Sequence, residues 1–128
     1  MSKVTTNIES KEKDLYETLI NDKRFKSDHW DHVSLVFSES GTAFFGYRFF
    51  DGGWSGFGPD NFDWASPAQN VYGTMEAVGK PWIKMLMTLN KEKNSYTVEY
   101  EYEDESRWKL GGKDMSSIEE FAYSLKRD

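Results

Sequence analysis

The sequence predicts an α+β fold, an antiparallel sheet of about four to five strands packed with an N-terminal, a central and a C-terminal helix. Three observations carry this. Apolar spacing switches along the chain between a period near 3.6 and a period of two. The strand-like segments come in pairs joined by short turns, which favours antiparallel pairing. Aromatic residues make up 16% of the 128, enough apolar bulk for a real core in one domain spanning residues 1–128.

Thr6 and Glu9 stand three apart, the spacing at which each side chain caps the other's backbone N–H at a helix start. Ile8, Leu15 and Leu19 with Tyr16 and Ile20 then repeat at helical spacing, so residues 7–24 read as an amphipathic helix with a charged outer face. From Val33 the period becomes two: Val33, Leu35 and Phe37 face one way, Ser34 and Val36 the other. Glu39-Ser40-Gly41-Thr42 supplies turn chemistry before a second, aromatic-rich strand over 43–50, a hairpin that Asp51-Gly52-Gly53 ends. Between Trp54 and Trp64 glycine and proline interrupt any period, which marks a loop with exposed or half-buried aromatics.

Ser66-Pro67-Ala68-Gln69 sets a capping serine before proline and glutamine at their favoured helical positions, and Gly79 and Pro81 stop the pattern. A helix over 67–78 follows, lined by Val71, Met75 and Val78, with Gly73 allowing close approach to the sheet. Ile83, Met85, Met87 and Leu89 alternate with Trp82, Lys84, Leu86 and Thr88 as a largely buried strand, and residues 90–94 form a turn. Tyr96, Val98, Tyr100 and Tyr102 alternate with Thr97, Glu99, Glu101 and Glu103, a strand aromatic on one face and acidic on the other. Ser116-Ser117-Ile118-Glu119 caps a terminal helix carrying Ile118, Phe121, Ala122 and Leu125.

The charge is segregated. The net charge is −6, and residues 27–79 account for all of it, with seven acidic groups against the single base Arg48. The same stretch holds Trp30, Trp54, Trp64 and most of the phenylalanines. A second acidic concentration, Glu99, Glu101, Glu103, Asp104 and Glu105, reads equally as a solvated strand face. An acidic balance disfavours direct nucleic-acid binding, which needs net positive charge to displace counterions from phosphate. Base stacking on the aromatics would need interleaved Arg and Lys, and the middle stretch has only Arg48. No run approaches the roughly 18 apolar residues of a membrane span, so no membrane partner is expected. The N-terminal residues lack a secretory pattern, and with no cysteine in the chain a cytoplasmic address is expected.

The search for chemistry mostly excludes. Gly53-Trp54-Ser55-Gly56-Phe57-Gly58 and Gly111-Gly112-Lys113-Asp114 both lack the full phosphate-loop pattern. Asp28-His29-Trp30-Asp31-His32 could hold a divalent metal if it formed a turn, but reads more simply as a polar connector with Trp30 buried. No Gly-x-Ser-x-Gly elbow occurs. Glu99, Glu101 and Glu103 share an exposed face rather than forming a buried pair suited to acid–base catalysis. Neither enzymatic activity nor a metal or cofactor is expected. What remains is a binding surface: Trp54 and Trp64 as anchors, Phe57 among the contact residues, and Asp51, Asp60, Asp63, Glu99, Glu101 and Glu103 steering a cationic partner. A small enzyme or ligand carrier using 51–64 as a cleft is the alternative.

Trp30-x-x-Val33-x-Leu35, Phe44-Phe45-x-Tyr47, Trp82-x-x-Met85 and Tyr96-Thr97-Val98-Glu99-Tyr100-Glu101-Tyr102-Glu103-Asp104 together resemble the YezG-like immunity, or antitoxin, proteins. The likeness runs over roughly residues 7–108 and is most specific in the late strand pair. It implies a small cytoplasmic bacterial protein that neutralises a cognate toxin domain, often a nuclease, of contact-dependent or other polymorphic toxin systems, without catalysis. The segment 52–63 is richer in glycine and aromatics than the family pattern, so binding residues do not transfer with it.

Overall fold

A computed structural model describes residues 3–22, 30–50, 53–57, 65–109 and 115–126. Helix α1 runs Lys3–Ile20. The Thr6–Glu9 box therefore lies inside the helix rather than at its start. A capping preference of about 1 kcal/mol yields where backbone bonding can continue past it. Leu15 and Leu19 are fully buried, with Ile8, Tyr16 and Ile20 packed beside them. The last turn tightens as the Asp22 N–H donates to the Leu19 carbonyl at 3.1 Å. Residues 23 and 24, expected to extend the helix, lie outside the described residues.

Strand β1 (His32–Ser38) and strand β2 (Ala43–Phe50) form the expected antiparallel hairpin through a 3-10 turn, Glu39–Gly41. Strand β3 (Gly53–Phe57) then pairs antiparallel with β2, placing Trp54 opposite Phe49 and Gly56 opposite Tyr47. The reading of 54–64 as irregular is thus corrected for its first part. Gly53 and Gly56 carry no side chains, so they erase the alternation by which a strand is recognised.

Helix α2 (Ala65–Ala77) buries Ala68, Val71 and Met75. Val78 is exposed, not a lining residue, because the helix has already ended there. Gly79 at φ 78° ends it: its N–H bonds to the Glu76 carbonyl at 3.0 Å, and the Lys80 N–H to that of Met75 at 3.0 Å. The expected role of Gly73 also fails, since a Cβ there would meet nothing within 4 Å. Close approach occurs instead at Gly41, φ 93°, whose Cβ would lie 2.8 Å from the Ala68 carbonyl carbon. The β1–β2 turn therefore presses on the first turn of α2.

Strands β4 (Lys84–Asn90) and β5 (Ser95–Glu101) form the second hairpin, and helix α3 (Met115–Ser124) closes the described chain. Sheet order is β3-β2-β1-β4-β5, all neighbours antiparallel. Strands β1 and β4 are buried on both faces. One face packs Val33, Leu35, Phe37, Met85, Met87 and Leu89 under α1 and α2, with Trp30 and Trp82 at its margins. The other packs Val36, Tyr47, Phe49 and Leu86 with Ala122 of α3, with Leu125 just beyond its end and with Trp108. Ser34, fully buried, donates to the Leu125 carbonyl at 2.9 Å and so ties α3 to β1.

Candidate partner-binding surface

The surface begins with an aromatic group at the β2–β3 end of the sheet. Trp54 is half-buried, its ring 5.6 Å from that of Tyr47 in an edge-to-face pair. Beside it Phe49 meets Tyr123 of α3 at 5.4 Å, with the Lys126 ammonium 5.9 Å from the Phe49 ring. Tyr123 is 42% exposed, and Phe50, projecting from the opposite sheet face at the same end, is 38% exposed. Neither Phe50 nor Tyr123 was singled out from sequence. Phe50 continues an apolar strand, and only the docking of α3 places Tyr123 here. Phe57 ends β3 opposite Gly46. Asp51, Asp60, Asp63 and Trp64 lie outside the described residues, as does His29.

At the opposite edge of the sheet the acidic row of β5 has another task. Glu101 accepts from Arg107 Nη1 at 2.9 Å, and its second oxygen accepts the backbone N–H groups of Tyr102, Glu103 and Asp104 at 3.2, 3.1 and 3.1 Å. Arg107 Nη2 lies 3.8 Å from Glu99 and its guanidinium 4.2 Å over the Trp108 ring. The Arg107 bond first, and the backbone donors after it, hold the Glu101 carboxyl down at about 2. Lys84 Nζ adds bonds to the carbonyls of Glu105 and Arg107 at 2.7 and 2.6 Å. Together these groups strap residues 102–109 across the sheet and seat Trp108, at φ 58°, in the second core cluster.

The expectation of one acidic strand face through Glu103 is thereby corrected. The strand ends at Glu101, the chain bends at 102–103, and Glu103 leaves the row. Glu103, Asp104 and Glu105 are exposed. The signal for the strap was present in sequence as the lone arginine among these acids, six residues beyond Glu101. Four strand spacings separate β3 from β5, about 19 Å, so Trp54 and the β5 acids are not one contiguous site.

Clefts among the described residues lie elsewhere. One of about 390 Å³ between α1 and α2 is lined by Lys11, Asn70 and Thr74. Another, about 450 Å³, is lined by Ser40, Tyr72, Trp82 and Lys84. Trp54 lines neither. Among the described residues no three His, Asp or Glu side chains are grouped to hold a metal ion, and no helix is long and apolar enough to cross a membrane. Neither a protein-family model nor a curated protein matches the chain.

Proposed function

We propose that this chain is an immunity protein. It binds a cognate toxin domain, a basic nuclease of a contact-dependent or other polymorphic toxin system, and blocks it in the cytoplasm without catalysis of its own. The observation that carries this reading is the coincidence of exposed aromatics with segregated charge. Phe50, Trp54 and Tyr123 gather at the β2–β3 end of the sheet, and the sequence segment 51–64 that contains Trp54 carries Asp51, Asp60 and Asp63. Aromatic rings supply most of the energy of protein interfaces, and carboxylates around them steer a cationic partner. A nuclease carries such a cationic groove for its substrate phosphates, and an acidic protein can occupy or overhang it. The sequence resemblance points the same way.

The test is co-expression of the tagged chain with neighbouring open reading frames, followed by pull-down, mass spectrometry and a nuclease assay. The expected result is a retained basic domain whose nuclease activity this chain silences. A co-purifying small molecule with no retained protein would overturn the reading in favour of a ligand carrier.

A further inference from the structure

The two edges of the sheet are built differently, and the ladder geometry decides what each offers. The Lys91 N–H donates to the Asp31 carbonyl at 3.0 Å, one step beyond the His32–Asn90 pair. In an antiparallel ladder the backbone groups of successive residues point to alternate sides. Odd-numbered residues of β1 therefore bond β4 and even-numbered ones bond β2. Since His32 faces Phe49, and Arg48 faces Ser55, the groups of Gly53, Ser55 and Phe57 turn inward to β2. Two N–H and two C=O groups, those of Trp54 and Gly56, point to the open side of the sheet.

Exposed edges are normally guarded by charges, proline or bulges against pairing with another strand. At β5 the guard is present, because Glu99 and Glu101 flank the outward groups of Val98 and Tyr100 and are held by Arg107. Strand β3 reads Gly-Trp-Ser-Gly-Phe, with no charge and no proline. Gly56 is exposed, with the Tyr47 ring lying 3.3 Å from where its Cβ would be, and the half-exposed Trp54 ring can receive a cation. Asp51 stands two residues before the strand, and Asp60 and Asp63 follow it.

We infer that the β3 edge receives an extended basic segment of the partner, which adds a sixth strand through the backbone groups of Trp54 and Gly56. This rests on the immunity reading and states how the toxin docks. Charge selects the occupant. A second copy of this chain would bring the same net charge of −6, all of it carried by the 27–79 stretch that contains β3, whereas Lys or Arg on a partner strand would meet that charge favourably.

The test uses the complex purified from co-expression, with this chain labelled for amide hydrogen exchange by NMR. The amides of Trp54 and Gly56 should exchange at least tenfold more slowly in the complex than in the free chain, while those of Tyr96, Val98 and Tyr100 stay unchanged. Gly56→Pro removes one outward donor without touching the ladder to β2, and should weaken binding about tenfold, the loss of one interface hydrogen bond. Gly56→Ala brings a similar Cβ to 3.3 Å from the Tyr47 ring but keeps the N–H, and should bind within about twofold of the parent. A silenced complex in which both amides still exchange freely would overturn this inference and leave the immunity reading standing. Protection of the β5 amides instead, equal losses from the two variants, or protection by self-association without any toxin would each overturn it too. If no basic domain is retained at all, both fall.

Discussion

Three glycines have surroundings so different that one substitution should act on them with opposite signs. At Gly41 an alanine must adopt φ 93°, and its Cβ would lie 2.8 Å from both the Ala68 carbonyl carbon and the Gln69 nitrogen. Left-handed strain costs about 1–2 kcal/mol. The overlap is with helix backbone, which cannot swing aside as a side chain can, and adds about 1–3 kcal/mol. Gly41→Ala should therefore lose about 2–5 kcal/mol, a large share of the roughly 5–15 that holds a domain together, and lower Tm by about 10 °C or more. Gly79→Ala meets only the strain of φ 78°, with nothing within 4 Å, and should lose about 1 kcal/mol. Gly73→Ala, mid-helix and in open space, should gain about 0.5–1 kcal/mol by restricting the unfolded chain. Urea unfolding followed by circular dichroism measures all three, with an unchanged m-value marking a pure stability effect. Gly41→Ala within about 0.5 kcal/mol of the parent would refute the close contact between the β1–β2 turn and α2.

Trp108→Ala should cost about 3 kcal/mol in urea unfolding, because it empties a buried site at the end of the strap; a surface-like effect under about 0.5 kcal/mol would deny that the strap closes the second core. Trp54→Ala combined with Asp60→Lys and Asp63→Lys should weaken toxin binding roughly 30-fold or more by titration calorimetry, and unchanged affinity would remove 51–64 from the interface. Burial raises the Glu12 carboxyl above its usual 4.5 despite the hydrogen bond it accepts from Tyr100. Its charged form therefore opposes folding at neutral pH, and stability rises as pH falls through the folded value. Glu12→Gln should be more stable than the parent at pH 7, with the difference shrinking by pH 4; a difference independent of pH would contradict the burial. Arg107→Ala should leave toxin affinity unchanged while reducing, to the part the backbone donors supply, the protection against acid that Glu101 gives, which is present above its usual 4.5 and fades as pH falls toward 2; tighter toxin binding would place the β5 acids in the interface.

The sheet was largely legible because its strands combine alternation with punctuation. Strand β2 matches the expected 43–50, and β5 announces itself by alternating tyrosine and glutamate. What failed did so for identifiable reasons. Strand β3 was hidden because two of its five residues are glycine. Gly73 and Gly41 exchanged roles because spacing says where a glycine stands on its own element, not which element crosses it. The candidate site was legible in composition but not in geometry. Sequence could show that acids and aromatics share a region, yet the acids at 99 and 101 belong to an intramolecular strap whose sequence signal, Arg107, gains its meaning from the turn at 102–104.

That strap changes how the acidic surface must be probed. Reversing Glu101 to lysine would delete a carboxylate that holds three backbone N–H groups and Arg107, so the turn and the seating of Trp108 would fail together with any contact to a toxin. Lost binding in such a variant would say nothing about the interface. Removing Arg107 instead leaves both carboxylates in place and raises their availability, so the sign of the change in affinity separates a contact from a scaffold. The same logic explains why one chain can carry two acidic concentrations with different duties. At β5 the Glu99 and Glu101 carboxylates are held by Arg107, and Glu101 also by the turn N–H groups, which guards the edge and pins a loop. Among the described residues β3 itself carries no charge, and the sequence segment 51–64 that contains it adds three aspartates and no base, a bias that would steer a cationic strand toward this edge.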